Sequence, residues 1–337
     1  MTIFPFTAIV GQDQMKLALI LNVINPAIGG VLIMGEKGTA KSTAVRALAD
    51  LLPTMAVSQG CPFNCDPQGV LCSVCQERSQ KEGILSVEQR KMKVVELPLG
   101  ATEDRLVGSL DVEHAIKRGE KKFDPGILAD ANRNFLYVDE VNLLEDHIVD
   151  LLLDAAAMGV NTVEREGISF VHPAQFILVG TMNPEEGDLR PQFLDRFGLC
   201  VRIQAINDRE ARKEILKRRS AFDKDPAEFL SQWAEHQLQL ADDIIAAKKL
   251  LPSVNVSDDI LEKIVDITVE LNLDGHRGEI VILRASRALA ALRKRSSVCV
   301  DDVRDAAGLA LPHRMKRLPF EDMGLEAEKL HAALEGL

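Results

Sequence analysis

Gly35-Glu36-Lys37-Gly38-Thr39-Ala40-Lys41-Ser42 lies between an apolar run, Val31-Leu32-Ile33-Met34, and a helical pattern over residues 41–52. Strand, glycine-rich turn and helix in that order make a phosphate-binding loop. The glycines let backbone amides curl around a β-phosphate, Lys41 reaches the β and γ oxygens, and the Ser42 hydroxyl is offered to Mg²⁺. Glu36, Lys37, Thr39 and Thr43 complete the loop and the first helical turn. One position departs from the pattern: Ala40 stands where glycine usually precedes the lysine, and a negative φ there would accommodate it. A plain glycine-rich turn would leave Lys41 a solvated helix residue; the flanking strand and helix favour the phosphate reading.

Two further apolar runs, 135–138 and 176–179, are bounded by polar or turn residues and read as buried strands. Strands alternating with helices predict an α/β fold with a doubly wound parallel sheet, whose ligands gather at the carboxyl ends of the strands. The candidate residues fall there. Asp139 and Glu140 end the first run, where Asp139 is placed to hold Mg²⁺ and Glu140 to polarise an attacking water. Asn183 follows the second, placed to hold that water or sense a γ-phosphate. In Leu189-Arg190-Pro191-Gln192-Phe193-Leu194-Asp195-Arg196, Arg196 is the candidate to neutralise charge on a transferring phosphoryl group across a subunit boundary; its plainer role is a salt bridge to Asp195.

Beyond about Arg202 the pattern becomes helical throughout, over residues 208–220, 226–251, 257–271, 279–295 and 300–311. Asp208 and Ser257 are expected as N-caps, with Asp301 in a first turn. The chain therefore divides into a nucleotide-binding α/β domain, residues 1–205, and a second, smaller all-helical domain, residues 206–337. Arg277 opens one of these helices and is the candidate to couple nucleotide state to lid angle, with Arg284 its rival. Two stretches look inserted: a cysteine-rich piece at about 53–83, expected as a long irregular loop, and a hairpin around Glu166-Gly167.

The 337 residues carry a net charge of -11 and only 4% aromatics, which argues against general affinity for nucleic acid or anionic lipid and against a base-stacking platform. No run is long enough to span a membrane and no leader pattern opens the chain, so a soluble cytoplasmic protein is expected. Four of the six cysteines, Cys61, Cys65, Cys72 and Cys75, crowd into fifteen residues. Their spacing is not a standard zinc pattern. Zinc, thiol redox chemistry and an unliganded loop all stay open, with the last two preferred.

Taken together the motifs resemble AAA+ ATPases, and longer strings narrow the likeness. AIVGQDQMKLAL, LPLGATEDRLVGSLDVE, FDPGILADANRNFLYVDEVNLLEDH, VEREGISFVHPAQF, LVGTMNPEEGDLRPQFLDRFG and HRGEIVILRASRALAAL are similar to the I subunit of magnesium chelatase over nearly the whole chain. The resemblance implies an ATP- and Mg²⁺-using motor that forms a ring, typically hexameric. Such a motor works with a related D subunit and a porphyrin-holding H subunit to insert Mg²⁺ into protoporphyrin IX for (bacterio)chlorophyll synthesis. It also implies a helix-2 insert at about 110–125, a hairpin at about 159–172, and Ile9 and Val10 as part of an adenine pocket. Two other readings keep the ATPase: a cobalt chelatase for cobalamin synthesis, or an AAA+ remodelling chaperone that loads metal.

Overall fold

The computed structural model describes residues 2–36, 38–110, 123–165, 168–315, 329–330 and 332–334. Its central sheet has five parallel strands: β1 (Val31–Gly35), β2 (Val94–Leu97), β3 (Phe135–Val138), β4 (Ile177–Met182) and β5 (Leu199–Ile203). Their order is β5–β1–β4–β3–β2, the interleaving of a doubly wound α/β fold. β1 runs in register with β5 from Val31↔Leu199 to Gly35↔Ile203, and β3 lies between β4 and β2.

The three central strands are the three apolar runs of the sequence, because a parallel strand covered on both faces has no polar side to alternate. The two edges escaped that criterion. In β2 only Leu97 is fully buried, and in β5 the exposed Arg202 interrupts the run.

Packing divides the chain into two compact units, Leu52–Thr181 and the combination of Met1–Leu51 with Met182–Leu337. This grouping differs from the division at residue 205 drawn from the sequence pattern, which stays a proposal. In the second unit all five expected helices form within a few residues: Arg209–Lys224, Pro226–Leu250, Asp258–Glu270, Arg277–Leu292 and Val300–Ala310. Asp208 caps the first, accepting from the Ala211 amide at 2.9 Å. Ser257 makes no side-chain cap bond, contrary to expectation; Asp258 and Asp259 in the first turn complement the helix dipole instead.

In the Leu52–Thr181 unit the cysteine-rich piece is not an irregular loop. Met55–Ser58 pairs antiparallel with Val87–Arg90, and Ser73–Glu82 is a helix. Its sequence hides the helix because the inward positions are Cys72, its N-cap, and Cys75, rather than a stripe of large aliphatic residues. The hairpin is present as Val160–Arg165 paired with Ile168–Pro173; its tip, residues 166–167, lies outside the described residues. Gly108–Leu110 pairs with Phe123–Pro125 at the base of the expected helix-2 insert, and residues 111–122 likewise lie outside.

Candidate functional site

β1 delivers the phosphate loop. Gly35 has φ +153, and a Cβ there would stand 2.3 Å from the Ile203 carbonyl oxygen, so only glycine lets β1 end this close to β5. The Thr39 hydroxyl donates to the Glu36 carbonyl at 3.0 Å, and Lys41 Nζ donates to the carbonyls of Gly35 at 2.6 Å and Glu36 at 3.3 Å. Lys41 begins the helix Lys41–Leu51, with Ser42 and Thr43 in its first turn, and Gly38 sits at φ +83. Lys37 lies outside the described residues.

Ala40 is a correction. It adopts φ +63, the left-handed region, not the negative angle under which alanine is unstrained. A left-handed L-residue costs about 1–2 kcal/mol, part of which glycine returns through its freer unfolded chain. Ala40→Gly is therefore expected to raise stability by up to about 1 kcal/mol in thermal unfolding. A lowered melting temperature would show that the loop does not strain this residue.

A cavity of about 390 Å³ opens beside the loop, lined by Gly38, Thr39, Ala40 and Thr43 on one side and by Ile9 and Val10 on another. Glu36 lines it too. Its volume falls within the range of small-molecule sites, and its wall is largely aliphatic, suited to a flat heterocycle held beside phosphates. Sequence reading missed Ile206, Ile215 and Arg218 on the same wall. The Arg218 guanidinium lies over the Trp233 ring at 4.7 Å and donates to the Ala8 carbonyl at 3.0 Å, which fixes it against the segment that carries Ile9.

Of the other candidates in this unit, Asn183 is buried and its Oδ1 accepts from the Glu185 amide at 3.3 Å, anchoring the turn after β4. Asp195 is held by Arg277 at 2.8 Å and by Arg314 at 3.1 Å, so the acid beside Arg196 has two other guanidinium partners. Arg314, which sequence reading missed, is nearly buried and also donates to the carbonyls of Asp195, Phe197 and Gly198. It braces the backbone on both sides of Arg196. Burial pushes the Arg314 guanidinium down to about 10. Arg284 stands apart, donating to the Ala27 carbonyl.

Asp139 and Glu140 belong to the other unit. Asp139 Oδ1 accepts from the Tyr137 phenol at 3.2 Å and from the Thr181 hydroxyl. Burial, and then the Asp139 charge, pushes the phenol above its ordinary range, which keeps its proton in that bond. Thr181 Oγ1 in turn accepts from the Glu140 amide at 3.1 Å, and Glu140 adopts φ +52. A left-handed glutamate held by a neighbouring strand is strain of the kind found at reactive positions. Thr181, buried and tying both acids to β4, is a further residue that sequence reading missed.

In the same unit the sulfurs of Cys61, Cys65, Cys72 and Cys75 come within 4.8 Å of one another, all four buried. Among the described residues no helix is long and apolar enough to cross a membrane.

Comparison with known proteins shows the family. A family model described as magnesium chelatase, subunit ChlI, matches residues 5–188, and one described as an AAA lid domain matches residues 261–335. A magnesium-chelatase subunit ChlI homolog of Methanocaldococcus jannaschii is 60% identical over 97% of this chain and 90% of that protein. Magnesium-chelatase subunit ChlI of Nostoc is 51% identical over 99% of this chain and 91% of its own. Among solved structures, a cryo-EM-based model of the complex between subunits BchI and BchD of magnesium chelatase aligns at 46% identity, with a TM-score of 0.56, over 98% of this chain and 100% of that one. A putative ATPase from Cytophaga hutchinsonii aligns at 17% identity with a TM-score of 0.65 over 98% of this chain and 91% of its own, which shows the fold alone. With its AAA+ sheet, its lid and full-length likeness to chains of that name, this protein belongs to the magnesium-chelatase subunit ChlI family.

Proposed function

We propose that this chain is the ATP-hydrolysing motor of a magnesium chelatase, driving Mg²⁺ insertion into protoporphyrin IX as a cytoplasmic ring, hexameric by family resemblance, with D- and H-type partners. The observation that carries this reading is the aliphatic cavity beside the phosphate loop, lined by Ile9 and Val10 together with Gly38, Thr39, Ala40 and Thr43. A nucleotide base would take the apolar wall and its phosphates the loop. The BchI–BchD complex of a 46% identical relative supports the D-type partner.

In this reading the loop amides and Lys41 orient the β- and γ-phosphates. Ser42 and Asp139 carry hard oxygen donors that would suit the Mg²⁺ of MgATP, whose charge would offset that of the phosphates. Asn183 orients the attacking water, and Glu140 takes its proton. Arg196 of a neighbouring subunit neutralises charge on the γ-phosphate oxygens. Arg277, holding Asp195 from the start of its helix, couples the lid to that finger, and Arg284 fixes the other end of the contact at Ala27.

A finger acting between subunits makes hydrolysis depend on assembly. Turnover per chain is expected to rise with protein concentration and to level off as rings form. Constant turnover down to a demonstrably monomeric state would refute the reading.

A further inference from the structure

Cys61 and Cys65 lie in the loop after the strand Met55–Ser58, Cys72 precedes the helix Ser73–Glu82, and Cys75 lies in its first turn. Folding brings all four Sγ atoms within 4.8 Å of one another, with Cys61 and Cys72 at 3.9 Å. Phe63, Leu85 and Ala129 close the group from solvent, with Leu71, Phe123 and Phe170 packed against them. Two backbone amides point at sulfur: Phe63 N–H at Cys61 Sγ, 3.4 Å, and Cys72 N–H at Cys65 Sγ, 3.2 Å.

A tetrahedral ion with metal–sulfur bonds of about 2.3 Å sets its sulfurs about 3.8 Å apart. The observed spacing reaches that with shifts of under about 1 Å. A multi-iron cluster must fit iron and sulfide between the cysteine sulfurs and needs them farther apart. Two disulfides would single out two close pairs, whereas here all four sulfurs crowd together and every cysteine is free. Amides donating to sulfur and a helix start beside Cys72 and Cys75 offset thiolate charge.

We propose that Cys61, Cys65, Cys72 and Cys75 bind one zinc ion as a closed tetrathiolate. Each thiol gives its proton to solvent on binding, and the dianionic complex leaves no open position, so the ion is structural. The irregular spacing is no obstacle, because one pair comes from a loop and the other from a helix start. What the ion braces is the hairpin. The Phe63 ring, between Cys61 and Cys65, stacks on His172 at 4.7 Å and packs against Phe170 at 5.8 Å, both on Ile168–Pro173. The Phe63 carbonyl accepts from Asn132 at 2.6 Å. The site is independent of the proposed ATPase activity.

The test is metal content of the full chain purified under reducing conditions, with X-ray absorption at the zinc edge. About one zinc per chain, with four sulfur neighbours at about 2.3 Å, is expected. The double variant Cys65→Ser/Cys75→Ser should lose the ion and become cleavable by protease within residues 53–83, while Cys299→Ser keeps it. No more than trace zinc after loading, one iron in its place, or two disulfides found after thiol trapping would overturn the assignment. Should the double variant not fold, the wild-type absorption spectrum decides alone.

Discussion

Glu140→Gln is expected to bind ATP about as tightly as the wild type and to hydrolyse it about 10³-fold more slowly, the middle of the range for removing a general base. The substitution keeps shape and hydrogen-bonding reach but cannot accept the water's proton. The Thr181 bonds survive the substitution, because that hydroxyl meets the Glu140 backbone amide and the Asp139 carboxylate. Binding by calorimetry and single-turnover hydrolysis separate the two effects. A variant that keeps a tenth or more of wild-type turnover would remove Glu140 from this role.

Arg196→Ala is expected to lower turnover by a similar factor, about 10³-fold, the low end for loss of an arginine finger. The chain devotes Arg277 and Arg314 to Asp195, and Arg314 also holds the carbonyls on either side of Arg196. That bracing costs a nearly buried guanidinium, which is more than a surface salt bridge warrants and fits a segment whose position matters. The role makes a second, sharper demand. If Glu140 serves its own subunit and Arg196 the neighbouring one, as proposed, rings mixed from Glu140→Gln and Arg196→Ala chains should regain a measurable fraction of activity. Mixed rings as inactive as either parent would place Arg196 in its own subunit.

How much of this was legible in sequence follows from burial. β1, β3 and β4 are covered on both faces and announce themselves as apolar runs; the edge strands β2 and β5 carry exposed residues and do not. The helices after residue 208 show their stripes, so all five are readable. The helix over Ser73–Glu82 is not, since its inward positions are cysteines. In the site, loop, acids and Asn183 are readable because their chemistry demands fixed residue types at strand ends. Thr181 and Arg314 act through other side chains, and Ile206 and Ile215 contribute only shape; nothing in their spacing marks them. Ala40 shows the opposite limit: its identity was plain, and its left-handed backbone was not.

The most direct test of the central claim is Mg²⁺ insertion into protoporphyrin by this chain mixed with D- and H-type partner subunits and ATP, with Lys41→Ala as control. The account predicts ATP-dependent insertion that the substitution abolishes. ATP hydrolysis with no Mg²⁺ insertion, or insertion of cobalt alone, would contradict it.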